Sequence, residues 1–150
     1  MKIPALNMEL FKEQKAYIDK LEQELYDVFR VELQKNAFVV KNYVVERQLY
    51  QKGIDGYEKR LAGYSRYTIR YKISKGQPYD RTTLRDTGYF HGTITIIAKR
   101  KEFEITSSTS YDKYLVKRYG KAILLPSKRN MKEFISKFVL PALKGKFKND

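Results

Sequence analysis

The sequence contains no cysteine and no tryptophan, one histidine (His91), four prolines and eight glycines. Without cysteine, the chain forms no disulfide, no thiolate zinc site and no thiol nucleophile. A single histidine excludes multi-histidine metal centres and leaves little for a histidine-based triad. No apolar run approaches the ~18 residues of a membrane-spanning helix. The opening segment, Met1–Leu10, is interrupted by Pro4 and Asn7 and lacks the apolar core of a signal peptide. The expectation is a soluble protein made inside the cell.

Catalytic signatures are also scarce. There is no Walker loop, no His-Glu-x-x-His and no EF-hand loop. Asp55, Asp86 and Asp112 stand singly at turn-like positions, where turn and cap roles outnumber acid–base roles. His91 follows Asp86 closely, but nothing groups a nucleophile, a base and an anion hole. The chain is therefore expected to be no enzyme and to take no cofactor or metal.

What is present is charge, tyrosine and apolar periodicity. Hydrophobic residues make up 42% of the 150, enough for a core in a chain of one-domain length. The formal charge of +14 is uneven: residues 1–40 hold 6 basic and 7 acidic groups, whereas residues 41–150 hold 25 and 10. Such a field draws polyanions or an acidic protein surface without choosing between them.

Three- and four-residue spacing of Leu10, Phe11, Gln14, Tyr17, Ile18, Leu21, Leu25, Val28, Phe29 and Leu33 predicts a long helix, about Met8 to Gln34. Asn7 is its expected N-cap. The stripe fits either the domain's own sheet or a neighbouring subunit. Ala37–Gln51 mixes β-branched residues with helical spacing and is read as a second helix. Gly53-Ile54-Asp55-Gly56 is a turn. Tyr57–Asp80 is rich in tyrosine and arginine, and a loop or extended arm (53–80) with a short helix near Arg66–Ser74 is expected there. Alternation over Thr93–Ser107 predicts a β-hairpin with a Lys99-Arg100-Lys101 tip, its turn beginning at Ile97. Tyr111–Tyr119 reads as a short helix ended by Gly120. A last helix runs from Lys128 or Asn130 to Leu143, with Pro141 kinking or finishing it and a frayed basic tail after it. The fold class is α+β: one domain over 1–150, the long N-terminal and C-terminal helices packed on a small antiparallel sheet, with a Tyr/Arg-rich loop or arm.

Basic residues among aromatics suit phosphate neutralisation and base stacking. Arg66, Arg70 and Lys72, with Lys99, Arg100 and Lys101, are the candidate contacts to DNA or to an acidic partner. Tyrosine and arginine equally mark protein–protein hot spots, so Tyr64, Tyr67 and Tyr71 are candidate subunit contacts.

The run Thr83-Leu84-Arg85-Asp86-Thr87-Gly88-Tyr89-Phe90 resembles the tail-completion, or head–tail joining, proteins of tailed bacteriophages. In that family a Leu-x-x-Thr/Ser-Gly-x-Leu-x-x-Ser-Ile pattern leads into the first long strand. Leu84, Thr87, Gly88, Phe90, Thr93 and Ile94 occupy those places, Phe90 standing for Leu and Thr93 for Ser. Tyr111 followed by Tyr119-Gly120 resembles a further family segment, with Asp112 in place of its alanine. Gln48-Leu49-Tyr50, Gly53–Gly56, Tyr64-Ser65 and Gly76-Gln77-Pro78 are similar to a subset from phages of Bacteroidetes-type hosts. Within the resemblance, Thr87-Gly88 breaks a short helix and releases the chain into the strand, anchored by Leu84 and Phe90.

The resemblance implies a virion protein made in the host cytoplasm: a homo-oligomeric neck ring between portal and tail that joins head to tail and lines or seals the DNA channel. Its partners would be itself, portal or adaptor and tail proteins, and packaged double-stranded DNA, with no membrane. The alternative is a basic nucleic-acid-binding module. A small metal-dependent hydrolase working through Asp86 or His91 is a distant third.

Overall fold

The amphipathic stripe at the start of the chain does form a helix, α1 (Ala5–Lys35). In the computed structural model residues 5–149 are described, with the side chains of Glu9 and residues 12–149. The helix already runs through Asn7, which is therefore not its N-cap; the side chains of Asn7, Leu10 and Phe11 lie outside the described set. Among the described side chains, only the second half of the stripe is covered. Leu33 is fully buried and Val28 and Phe29 pack beside it, whereas Tyr17 and Ile18 are 63% and 62% exposed. Every residue from Lys12 to Lys20 faces solvent. At 1.5 Å per residue, the exposed positions 12–20 extend over about 13 Å of helix before Leu21, which is half-buried.

The valine-rich segment after it is helical as well: α2 (Ala37–Asn42) runs into a π-helical stretch, Tyr43–Lys52. Valine costs up to ~0.7 kcal/mol of helix propensity, but burying a valine side chain returns about 1.5–3 kcal/mol. Val40, Val44 and Val45 are all buried, so burial wins. The wider π turn gives this helix two apolar sides. Val44, Val45 and Leu49 join Leu61, Phe90, Ile94 and Ile123 in one cluster; Val40 and Tyr43 join Leu33, Phe134 and Val139 in the other. The central helix is thus the shared wall of two cores.

Gln48 faces inward from that wall and is 1% exposed. Its amide donates to the Leu125 carbonyl (2.8 Å), and its oxygen accepts from Ser127 N (2.7 Å) and Asn130 Nδ2 (2.9 Å). Both acceptor positions and one of its two donors are used, in keeping with the pairing expected of a buried amide. Nearby, Arg47 grips Glu133 through two bonds (2.7 and 3.2 Å) while stacking over Tyr43 at 4.5 Å. Hydrogen bonds from Arg47 and Lys137 hold the Glu133 carboxyl down at about 2.

Residues 53–80 do not form an extended arm. Gly53 turns at φ +64°, and Gly56 lies so close to Leu125 that a Cβ would sit 2.5 Å from its Cβ and carbonyl oxygen. The Asp55 carboxylate caps the turn, accepting from Tyr57 N (2.9 Å) and Lys59 N (3.0 Å). Leu61 then enters the first core, which no local pattern in this polar stretch signalled. Helix α3 (Arg66–Ser74) has the expected bounds, with Ser65 Oγ accepting from Thr68 N at 3.2 Å.

The segment 84–94 is anchored as expected but differently shaped. Phe90 is buried, Leu84 packs on the first core at φ +53°, and Gly88 adopts φ +86°. No helix precedes Gly88; it opens one, α4 (Tyr89–Thr93), from which the chain enters the hairpin. Strands β1 (Thr95–Ala98) and β2 (Phe103–Thr106) pair antiparallel, Ile96 opposite Ile105 and Ala98 opposite Phe103. Ile97 belongs to the strand rather than the turn, on the outer face opposite Glu104. Two strands are not stable alone. Phe29 of α1 covers them, 6.2 Å from Phe103 and 6.3 Å edge-on from Phe134.

Helix α5 (Asp112–Tyr119) stops at Gly120, φ +89°, before a 3-10 turn that buries Ile123. Helix α6 (Lys128–Phe134) passes through a π turn (Ile135–Val139) into α7 (Leu140–Lys148). Pro141 therefore neither finishes the helix nor leaves the tail frayed. Leu140 N–H still bonds back to the Ile135 carbonyl across the π turn, and the wider turn lets the helix continue past Pro141, which has no N–H to place.

Candidate functional site: a tyrosine-lined groove

The packing of α3 opposite α5, with the 84–89 loop between them, leaves an open groove of about 760 Å³. Six tyrosines line it: Tyr64, Tyr67, Tyr71, Tyr89, Tyr111 and Tyr119. Leu84 and Leu115 add apolar floor, and Thr87 lies on the rim. Of the residues singled out in the sequence, Tyr64, Tyr67, Tyr71, Lys72, Leu84 and Thr87 meet here.

Beneath that floor a chain of hydrogen bonds runs from Tyr64 through Thr83 to His91. Tyr64 OH accepts from Thr83 N (2.9 Å) and pairs with Thr83 Oγ1 (3.2 Å). The Thr83 carbonyl in turn accepts from His91 Nε2 at 2.9 Å. His91 is 4% exposed. Burial lowers its pKa to about 4, against the Thr83 bond and reinforced by Arg85, Lys41 and Lys72. The ring is thus neutral at pH 7 with its proton on Nε2, and Nδ1 is buried without a partner.

Lys72 corrects the sequence reading. It is 4% exposed, and its ammonium donates to the Arg85 carbonyl and to Gln77 Oε1 (3.0 Å) and lies 5.3 Å from the Tyr64 ring centre. Its charge is engaged inside the fold and meets no outside partner. Asp86 is tied likewise, by Tyr71 OH (3.2 Å), Lys75 Nζ (3.3 Å) and Gln77 Nε2 (3.3 Å). Burial pushes its carboxyl up, but those donors and the Lys75 charge outweigh it and hold it below the usual value. Tyr119 is shifted the other way: burial raises its phenol, Arg118 partly offsetting this.

The upper walls are open. Tyr67 is 81% exposed and Tyr89 60%. Arg66 and Arg70 stand exposed on α3, and Lys113, Lys117 and Arg118 on α5. Among the described residues these five cations form no ion pair. None of the five lines the groove itself, whose charged residues Lys72, Arg85 and Asp86 are engaged by neighbours, so what the groove offers is chiefly aromatic surface.

The hairpin tip is not part of this site. Lys99 pairs with Glu104 (2.8 Å) and Glu102 (3.9 Å), Arg100 donates to Gln23 of α1 (3.0 Å), and Lys101 lies 5.5 Å from the Tyr26 ring centre. The tip fastens the sheet to α1. Tyr89, Tyr111, Tyr119 and Arg85 were not marked as site residues in the sequence. Their only shared local signal was tyrosine content, because the far wall comes from a distant segment.

Among the described residues no cluster of acidic and histidine side chains is arranged to hold a metal ion, and no helix is long and apolar enough to cross a membrane. No family model, characterised protein or solved structure matches the chain.

Proposed function

We propose that this chain is a structural subunit of a tailed-bacteriophage neck, forming a homo-oligomeric ring between portal and tail that joins head to tail and lines or seals the DNA channel. The observation that carries the proposal is the helical arm of α1, whose apolar stripe is exposed over residues 12–20 and has no partner among the described residues. A chain that exposes a stripe of this kind while burying ordinary valines elsewhere is shaped for a partner. The tyrosine groove is a second, separate surface, and two unlike surfaces on one chain permit the head-to-tail contacts that close rings.

The resemblance over residues 84–94 supplies the virion setting. That segment leads through α4 into β1, so the Leu84–Ile94 pattern precedes a strand here as in the family it resembles. Under this proposal the chain carries no reaction of its own. Asp55 caps a turn, Asp86 is tied to Tyr71, Lys75 and Gln77, and His91 supports the groove floor. Portal or adaptor and tail proteins are its neighbours, and packaged DNA passes its basic surface.

Electron microscopy of purified particles carrying a label on this chain tests the proposal. Density at the portal–tail junction is expected; a chain found only in infected-cell lysate and absent from virions overturns it. One observation favours the alternative of a nucleic-acid-binding module: Tyr67 stands open on α3 between Arg66 and Arg70 in sequence, both exposed and without an ion pair among the described residues. That reading predicts DNA or RNA binding whose log affinity falls linearly with log salt and is lost in Arg66→Glu/Arg70→Glu. Binding that is absent or insensitive to salt removes it.

A further inference from the structure

We infer that the outer edge of β2 and the cleft beside it take an extended segment of a different polypeptide, added to the hairpin as a third strand. The neck proposal supplies only a setting in which other chains are at hand. The grounds are the edge and the cleft.

The first ground is the hydrogen-bond phase of the hairpin. Lys99 N donates to the Glu102 carbonyl at 2.8 Å, and the register pairs Ile97 with Glu104 and Thr95 with Thr106. Along an antiparallel pair, hydrogen-bonded and non-bonded residue pairs alternate. The backbone groups of Glu104 and Thr106 therefore point at β1, and those of Phe103 and Ile105 point away from it. Among the described residues, no backbone bond from another element reaches these two N–H and two carbonyl groups. β1 lies against α1 and α2, whereas no strand flanks the outer side of β2. Such an edge is a template for one more strand.

The second ground is an open cleft of about 660 Å³ at this edge. Phe103 and Ile105 line it from β2, and Val116 of α5, Leu124, Leu125 and Tyr57 complete its apolar surface. The part around Leu125 is held firmly by the fold. Gly56 N donates to the Ala122 carbonyl (2.8 Å), Gly56 packs on Leu125, and Gln48 Nε2 donates to the Leu125 carbonyl (2.8 Å). Even so, the Tyr57 and Leu125 side chains are 68% and 40% exposed. The cleft thus holds apolar surface in place without covering it.

Edge and cleft together select the occupant. A helix has its backbone groups engaged internally and cannot pair with the edge. The charges that line the cleft, Asp112 and Lys121, are opposite in sign, so nothing there draws a polyanion. The β2 strand of a second copy has its Phe103 already packed on Phe29, 6.2 Å between ring centres, and the described residues form no further sheet. An extended segment with apolar side chains at alternate positions satisfies both features. Its backbone bonds to Phe103 and Ile105, and every second side chain enters the cleft.

Selecting a displayed library of random peptides, about ten residues long to hold one strand with flanks, on the purified full chain tests the inference. Enriched peptides are expected to alternate apolar and polar residues and, once synthesised, to protect the Phe103 and Ile105 amides from hydrogen exchange. Methylating the peptide nitrogens that face the edge is expected to weaken binding about tenfold or more, the worth of one or two hydrogen bonds. Methylating the alternate nitrogens is expected to change it little. Tyr57→Ala/Leu125→Glu, at exposed positions and with folding checked by circular dichroism, is expected to lose the peptides. No enrichment on the wild type beyond that on this variant overturns the inference. Peptides that bind as helices, or equally well with either set of nitrogens methylated, overturn it too. Protection of the two amides that rises with protein concentration in the absence of peptide overturns the choice of partner, because a second copy then fills the edge. None of these results touches the neck proposal, which the presence of the chain in virions decides.

Discussion

The hairpin tip and the tyrosine groove read alike in the sequence, each a cluster of cations near aromatic rings, yet they end in opposite states. At the tip every charge is occupied: Lys99 by Glu102 and Glu104, Arg100 by Gln23, Lys101 by the ring of Tyr26. In the groove Lys72, Arg85 and Asp86 are likewise engaged, but the rings of Tyr67 and Tyr89 stand open. Composition reports that cations and aromatics are present. It does not report whether a neighbouring helix already uses them, and α1 crosses the tip but not the groove. An open surface is thus recognised by what fails to cover it.

The comparison is broken most severely at Lys72. Lys72→Ala leaves the Arg85 carbonyl and Gln77 Oε1 without their donor and opens a void under the Tyr64 ring. A loss of about 3 kcal/mol is expected, within the usual range for a buried polar deletion plus a cavity. The urea midpoint should fall correspondingly, with the tyrosine fluorescence of the groove altered.

Acid probes the same floor. His91 titrates at about 4 in the fold and near 6.5 when unfolded. Between those values the unfolded chain binds the extra proton, so stability rises with pH from 4 to 6.5 and is level above it. The span corresponds to about 3 kcal/mol at most. His91→Gln keeps a donor for Thr83 and should flatten the curve across that window. Glu133 acts in the adjoining one: its depressed carboxyl gives stability that is present above about 4.5 and lost as pH falls toward 2. A slope confined to pH 2–4.5 in the His91 variant would separate the two groups. Tyr64→Phe comes next, at about 1–2 kcal/mol, because Thr83 N loses its acceptor.

How far the sequence carried the fold depends on whether its signal was local. Ser65 before Arg66, the alternation of Ile94–Ile105 and Gly120 after Tyr119 each state their element within a few residues, and α3, the hairpin and α5 follow them. The points at which 53–80 is anchored, Gly53, Asp55, Gly56, Leu61 and Lys72, are stated nowhere nearby. Leu61 stands in a polar stretch and reaches the core because Gly56 lets the loop approach Leu125. The π turns escaped for the same reason: they let the central helix serve two cores and let the last helix pass Pro141, demands set by distant residues. At the candidate site the near wall, Tyr64–Lys72, was visible as a tyrosine cluster. The far wall, Tyr111 and Tyr119, became part of the site only through the packing of α5.

The smallest effect is expected at the tip, and it sharpens the contrast most. Lys99→Ser/Arg100→Ser/Lys101→Ser removes two exposed ion pairs, one side-chain bond and one cation–aromatic contact. Exposed ion pairs contribute little because water solvates the separated charges nearly as well and the long side chains regain freedom. A change within about 1 kcal/mol is expected for the whole triple substitution. Assembly, followed by light scattering, should match the wild type, since none of the three side chains lines the groove. If the tip variant instead dissociates multimers while Tyr67→Asp/Tyr89→Asp leaves them intact, the two regions have exchanged roles. The tip would then be the docking surface between copies, and its internal contacts would be those of the free chain alone, exchanged for a partner's on binding.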